Sequence, residues 1–259
     1  MKILEMLQAL LVIPFITDLV QAVPESPGHG AHEVVAKTLS YNELFDNIDR
    51  FSISGIKSYS ALLFDPTRYQ VIVGARDRIF RLSLTGLQLL GASDWSANKS
   101  TVATCTIKGQ SAEACHNYIK LLHLNNGRVL VCGTNAFSPI CTWRRLSDID
   151  HIEAWEKGVA RSPFNPVHSV TSLMTTDGSL YVGTPTDFSG RENAFMRAMG
   201  PGERLRTHQY DTKWLSEPTF VSSFEAGGFV YFVFRENAVE SMNCRNQVYS
   251  RIGRVCKSD

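Results

Sequence analysis

The side chains able to do chemistry are spread thinly along this chain. Its seven histidines stand apart. No His-Glu-x-x-His spacing puts two imidazoles on one helical face around a metal. No Gly-x-Ser-x-Gly elbow presents a nucleophile, and no Walker or Gly-x-Gly-x-x-Gly loop cradles a phosphate. His151, His168 and His208 lie in polar stretches and read as exposed surface groups, and Asp148 and Asp150 as solvated loop charge. Neither catalysis nor a metal or other cofactor is expected.

The six cysteines, at positions 105, 115, 132, 141, 244 and 256, show no Cys-x-x-Cys spacing. They read as disulfides of an oxidising compartment. Cys105 with Cys115 and Cys132 with Cys141 are close enough to close small loops, although four cysteines allow three connectivities. Asn98-Lys99-Ser100 is a glycosylation sequon in a polar stretch. In Asp187-Phe188-Ser189-Gly190-Arg191 a phenylalanine stands close to an arginine, the residue chemistry that anchors interfaces. The same segment has a structural reading: Gly190 makes a turn, Arg191 pairs with an acid and Phe188 fills space between strand units.

These groups need a scaffold, and composition limits which. The 259 residues are 44% hydrophobic and 20% charged, with 26 Lys plus Arg against 25 Asp plus Glu, a net charge of +1. That balance is globular, and it argues against a nucleic-acid partner, whose affinity comes mainly from clustered cations. Arg144-Arg145 is the only compact basic pair. Residues 1–22 carry Lys2, an apolar stretch from Met6 to Ile16, and Val20-Gln21-Ala22 before Val23-Pro24. This pattern predicts a secretory signal peptide cleaved after Ala22, hence an extracellular or cell-surface product. Residues 23–37 read as a flexible leader. The most apolar later run, Phe229 to Phe234, has strand length, so no membrane anchor is expected in this chain.

From Thr38 on, short apolar runs punctuated by turn residues dominate, and no window sustains a helical period. Four meanders are predicted. The first runs Ser60–Phe64, Tyr69–Gly74, Ile79–Leu84. The second runs Tyr118–Leu124, Val129–Gly133, Cys141–Leu146, with an Asn126-Gly127 hairpin. The third is Val170–Met174, Leu180–Gly183, Ala194–Met199, and the fourth Thr219–Phe224, Phe229–Phe234, Val248–Val255. The second strand of the first three units ends in Gly74, Gly133 and Gly183, and multi-strand repeats of about 40 to 50 residues, some lengthened by insertions, indicate propeller blades. The predicted class is all-β, a propeller with about four blades present and the ring not closed.

Several motifs then resemble the sema domain of semaphorins, in family order: CTIKGQSAEACHNYIKLL from Cys105, GRVLVCGTNAFSPIC, DFSGRENAFMR, RTHQYDTKWLSEPTF, YFVFRENAVE and RVCKSD. The similarity runs from about Ser40 to the C-terminus, and the class-five semaphorins are most alike. The resemblance implies a seven-bladed propeller of about 500 residues, of which residues 38–259 look like the N-terminal half. A strand within Thr38–Phe45 would close the ring. It also implies Cys105–Cys115 and Cys132–Cys141 disulfides, and a partner for Cys256 further downstream.

The chain departs from the family pattern at Ser162, where relatives often carry Cys, at Asn165, and at Lys257-Ser258-Asp259. The first departure leaves Cys244 without its mate and a Cys244–Cys256 bond as an alternative. Semaphorins bind plexins through propeller loops, so the resemblance implies an extracellular guidance ligand for a plexin-type receptor. Phe188, Arg191 and Arg197 would then face the partner, and a complete domain would form a homodimer. The alternatives are a receptor-side sema domain and, without the Asp-box repeats expected of it, a propeller sialidase. The Trp214-Leu215 and Arg235-Glu236-Asn237 motifs read as packing and turn-capping elements.

Overall fold

The computed structural model describes residues 38, 40–45, 48–211, 214–241 and 247–258. The signal-peptide and leader segments and Cys244 lie outside them. The chain divides into two units, Met1–Ile48 and Asp49–Asp259.

In the first unit, the strand expected within Thr38–Phe45 is instead a short helix, α1 (Tyr41–Phe45). The cause is local. Ser40 and Glu43 form a reciprocal capping box, Ser40 N–H donating to Glu43 Oε2 (2.9 Å) and Glu43 N–H to Ser40 Oγ (3.2 Å). A strand needs a neighbour to satisfy its backbone, whereas a capped turn supplies its own bonds.

The second unit is built from four antiparallel sheets in sequence order. The first holds β1 (Ala61–Asp65), β2 (Gln70–Ala75), β3 (Arg78–Ser83) and β4 (Leu89–Asp94). In the second are β5 (Ile119–Asn125), β6 (Arg128–Gly133), β7 (Ile140–Arg145) and β8 (Asp148–Lys157). The third has β9 (Thr171–Met174), β10 (Leu180–Pro185) and β11 (Asn193–Met199), and the fourth β12 (Thr219–Ala226), β13 (Phe229–Asn237) and β14 (Val248–Cys256). All four predicted meanders are present. The second hairpin turns through Asn126 and Gly127, both at positive φ (49° and 74°), as a type I′ turn requires.

Three features differ from expectation. The outer strands β4 and β8 were not anticipated, because strands exposed at a sheet's edge carry charge and lack a continuous apolar run. In the third blade a non-strand segment takes the outer place: Arg197 N–H donates to Leu205 O (2.9 Å) and Thr207 N–H to Phe195 O (3.0 Å). A helix, α2 (Lys99–Ile107), follows the first sheet although its sequence has no amphipathic period and buries only Cys105. Asn98 caps it by accepting from Thr101 N–H (2.7 Å), and the Cys105–Cys115 disulfide tethers it.

Blades meet through apolar cores. Ile72 and Ile79 pack with Ile119 and Val131 between the first and second sheets. Leu130 and Trp143 pack with Leu180 and Met196 between the second and third. Tyr181 and Phe195 pack with Phe220 and Phe232 between the third and fourth. Among the described residues no such core joins the fourth sheet to the first. The recurring glycines permit the close approach: a Cβ on Gly74 would collide with Ile119, and one on Gly183 would press on Phe220, each on the next blade's first strand.

The structure also joins Cys132 to Cys141, opposite one another on β6 and β7 and both fully buried. Cys256 is in no disulfide among the described residues, and its Sγ lies 3.1 Å from Ser258 Oγ. Ser162 is fully buried, its hydroxyl without a partner among the described residues.

Candidate partner-binding site on the third blade

The loop between β10 and β11 contains the Asp187–Arg191 segment, and it is held from within. Asp187 accepts hydrogen bonds from Ser189 N–H (3.0 Å), from the Ser189 hydroxyl and from Glu192 N–H (2.8 Å). Burial raises the Asp187 pKa, but these donors outweigh it and hold the carboxyl below its ordinary value. Gly190 takes a positive φ of 74° and its N–H reaches Asp187 O (3.3 Å). A side chain at Gly190 would strike the ring of His168, which is half-buried rather than exposed as its polar neighbourhood suggested. Desolvation lowers the His168 pKa, and Lys120 nearby adds to that effect.

The three residues predicted to face a partner have three different environments. Phe188 is half-buried. Its ring lies 5.2 Å from that of Phe137 and 6.0 Å from that of Phe164, with the Lys108 ammonium 5.2 Å above it. It fills a small core formed by α2, the Cys105–Cys115 bridge and the Phe137 turn. Arg197 is buried, at 5% exposure, and does not face outward. Its guanidinium donates to Glu203 O (2.6 and 2.9 Å), Lys257 O (3.1 Å) and the Tyr181 hydroxyl (3.3 Å). The alternation of β11 turns Phe195 and Arg197 toward the fourth blade, and carbonyl acceptors on the third blade's outer segment (Glu203) and at the end of the fourth (Lys257) satisfy the charge. The reading of Arg197 as partner-facing is therefore corrected. Of the three, Arg191 alone is exposed, and its side chain makes no hydrogen bond or ion pair among the described residues.

Arg191 has company that the sequence did not single out. It lines a depression of about 130 Å³ with His208 and Tyr210. Tyr210 is 79% exposed, and its backbone is fixed by a bond from its N–H to Glu192 Oε2 (3.0 Å). Trp214, read as a packing residue, is 54% exposed, and its ring lies 5.7 Å from that of His208. Its neighbour Leu215 does the packing, buried in the core between the third and fourth blades. The Arg235-Glu236-Asn237 motif caps that region as expected: Glu236 accepts from Ser216 N–H (2.7 Å) and Asn237 donates to Glu217 (3.0 Å). Arg191 and Tyr210 share this depression and Trp214 adjoins it through the His208 ring, an exposed set with the composition of an interface hot spot. The spacing between Arg191 and Tyr210 hides this grouping, and only the tertiary structure brings them together.

No family model matches the chain. Mouse Semaphorin-5B is 44% identical over 228 residues, covering 88% of this chain and 20% of that protein. Rat Semaphorin-5A is 45% identical over 221 residues, covering 85% and 20%. Drosophila Semaphorin 5c is 44% identical over 227 residues, covering 86% and 21%. The chain thus spans about a fifth of the length of these curated relatives. Among solved structures, Drosophila Semaphorin 2a matches with a TM-score of 0.72 at 31% identity, over 78% of this chain and 37% of that one. The structure of Drosophila Plexin A in complex with Semaphorin 1b matches with a TM-score of 0.68 at 36% identity, over 78% and 38%. The Plexin A4 extracellular region, at 19% identity and a TM-score of 0.57, shares the fold alone. The chain is accordingly a homologue of the class-five semaphorins, which are not enzymes, and its blades correspond to part of a semaphorin sema domain, a β-propeller.

Proposed function

We propose that the chain is the N-terminal part of an extracellular, semaphorin-type guidance ligand that binds a plexin-type receptor. The observation that carries this reading is the 44–45% identity to class-five semaphorins across 85–88% of the chain. A solved complex of Plexin A with Semaphorin 1b supports the receptor class. Residues 1–22 serve as the signal peptide in this reading and residues 38–259 as the N-terminal part of a sema domain. Among the described residues no helix is long and apolar enough to cross a membrane.

The receptor docks on the exposed Arg191, Tyr210 and Trp214, while Phe188 supports the loop from beneath. Once a complete domain forms a homodimer, each ligand presents two such faces and draws two receptors together, with the gain that an effective local concentration confers. The test is displaceable binding of the secreted product to plexin-expressing cells. Changing Arg191, Tyr210 and Trp214 together to Ala is expected to weaken binding at least about tenfold, whereas absence of displaceable binding to every plexin overturns the assignment.

Asn98 is proposed to carry an N-linked glycan. It is exposed, and its Oδ1 caps α2 while its Nδ2 makes no hydrogen bond among the described residues, so cap and glycan use different atoms. Ser100→Ala removes the sequon but keeps the cap. It is expected to abolish the mass shift on glycosidase digestion at a stability cost of less than about 0.5 kcal/mol. Asn98→Ala removes both and should cost about 1 kcal/mol more.

A further inference from the structure

The first strand of the second blade opens with an irregularity that singles out one side chain. Ile119 pairs with Gly133 and Leu121 with Cys132, so Lys120 between them has no counterpart on β6. This is a bulge, and it interrupts the alternation of β5: Ile119 packs in the core shared with the first blade and Leu121 in the core shared with the third. Neither core includes Lys120. Its half-buried side chain instead lines a cavity of about 320 Å³, formed by the residues that lead into β1, β5 and β9.

The cavity leaves the Lys120 amine poorly solvated and without a counter-ion. Ala114, Tyr118, Pro166 and Val167 supply apolar walls, and the other lining groups are three serines and one carboxylate, Glu113. That carboxylate is engaged elsewhere, accepting from Arg76 (2.6 Å) and from the Tyr118 hydroxyl (3.1 Å). Of the charged groups nearby, His168 is pushed toward its neutral form, and Asp187 accepts hydrogen bonds from its own loop. Lys120 Nζ makes a single hydrogen bond among the described residues, to Pro166 O (2.8 Å), and no ion pair. Burial lowers its pKa to about 8. Roughly a tenth of the amine is then neutral at pH 7, against less than about a thousandth for an ordinary lysine.

We propose that Lys120 captures small aliphatic aldehydes in this cavity as a Schiff base. The neutral amine attacks the carbonyl carbon and a C–N bond forms. The two amine protons then leave with the carbonyl oxygen as water, giving the C=N bond, and the step needs neither oxidant nor reductant. A lysine desolvated in an apolar pocket is the kind that does this chemistry near neutral pH. The apolar walls take the alkyl chain, and the volume is at the small end of the range that holds small molecules. Anionic aldehydes are the lesser fit, because Glu113 lines the same space. The proposal does not depend on the receptor reading, which uses a different set of residues.

The test treats the full chain with limiting hexanal at neutral pH and quenches it with borohydride, which reduces each imine to a stable secondary amine. Peptide mass spectrometry then reads the hexyl group on each lysine. Lys120 is expected to be labelled at least about tenfold more than the exposed Lys57 and Lys157, and equal labelling overturns the proposal. At about pH 10, where ordinary lysines also lose their protons, the advantage should shrink at least about threefold; an undiminished advantage overturns the role given to the neutral amine. Glyoxylate in place of hexanal should lower the preference for Lys120 at least about threefold, and an equal preference overturns the aliphatic class. In the urea-unfolded chain the preference should vanish, and its persistence overturns the cavity as its cause. All four readings use the unaltered chain, so none depends on the folding of a variant.

Discussion

The junction between the first and second blades and the one between the third and fourth are held together differently. The third meets the fourth through aromatic rings: Phe195 stacks on Phe232 at 4.5 Å and meets Phe234 and Phe220 edge-on at 5.1 and 5.6 Å. The first meets the second through an apolar centre with polar networks beside it. In one network the buried Arg144 guanidinium lies 4.9 Å from Trp95 and donates to Ser93 (2.8 Å), Ile149 O (2.9 Å) and Thr142 (3.0 Å). Ser93 in turn donates to Asp150 (2.7 Å). Desolvation pushes the Arg144 pKa down to about 10, with Asp150 opposing, so the side chain stays charged at neutral pH. In the other network Asp77 pairs with His116 and accepts Asn117 N–H (2.8 Å), while Asn117 donates to Trp95 O (2.8 Å). Aromatic packing is worth its buried area almost wherever it occurs, whereas a polar network has value mainly through completeness.

The largest effect should therefore come from the aromatic junction. Phe195→Ala is expected to cost about 3–5 kcal/mol in denaturant unfolding, because one ring supports three others. Arg144→Met keeps the volume and removes the charge, leaving Ser93 and Ile149 O short of a partner, and should cost about 1–3 kcal/mol. A greater loss for Arg144→Met than for Phe195→Ala would reverse the ranking of the two junctions. A double-mutant cycle with Ser93→Ala sharpens it, since completeness predicts a coupling of at least about 0.5 kcal/mol.

The smallest effect concerns the junction between them. His123 on β5 bonds the Ser172 hydroxyl of β9 at 2.7 Å, and burial pushes its pKa down to about 4. The unfolded chain takes up this proton near pH 6.5, the folded one only near 4. Stability from this group is therefore whole above about pH 6.5 and lost as pH falls toward 4. Comparing unfolding of the unaltered chain with His123→Leu across that window should reveal a difference in pH dependence on the order of 1–2 kcal/mol; parallel curves would show that His123 is not held neutral.

How much of this was legible in the sequence varied with the range of the interaction. The inner strands showed as apolar runs, because a strand buried on both faces needs apolar residues throughout. The hairpin at Asn126-Gly127 showed because only a few residues tolerate its backbone angles. β8 did not show, since its stretch DIDHIEAWEK is an exposed edge. Residue type and the family resemblance pointed to Phe188 and Arg197 as partner-facing, but neither says which side of the strand or loop a side chain occupies. The cavity around Lys120 is invisible in the sequence, because its lining comes from the separate segments that lead into β1, β5 and β9.

Composition, turn chemistry and motif order by themselves determined the all-β class, the meander repeat and the kinship to semaphorins, because each depends on residues near one another in the chain. The tertiary structure alone decided that Arg197 is an internal tether and that Arg191 is exposed, although the two are six residues apart. Strand alternation and the segment packed beside β11 set the direction of each side chain, and direction, not residue type, separates a core arginine from an exposed one.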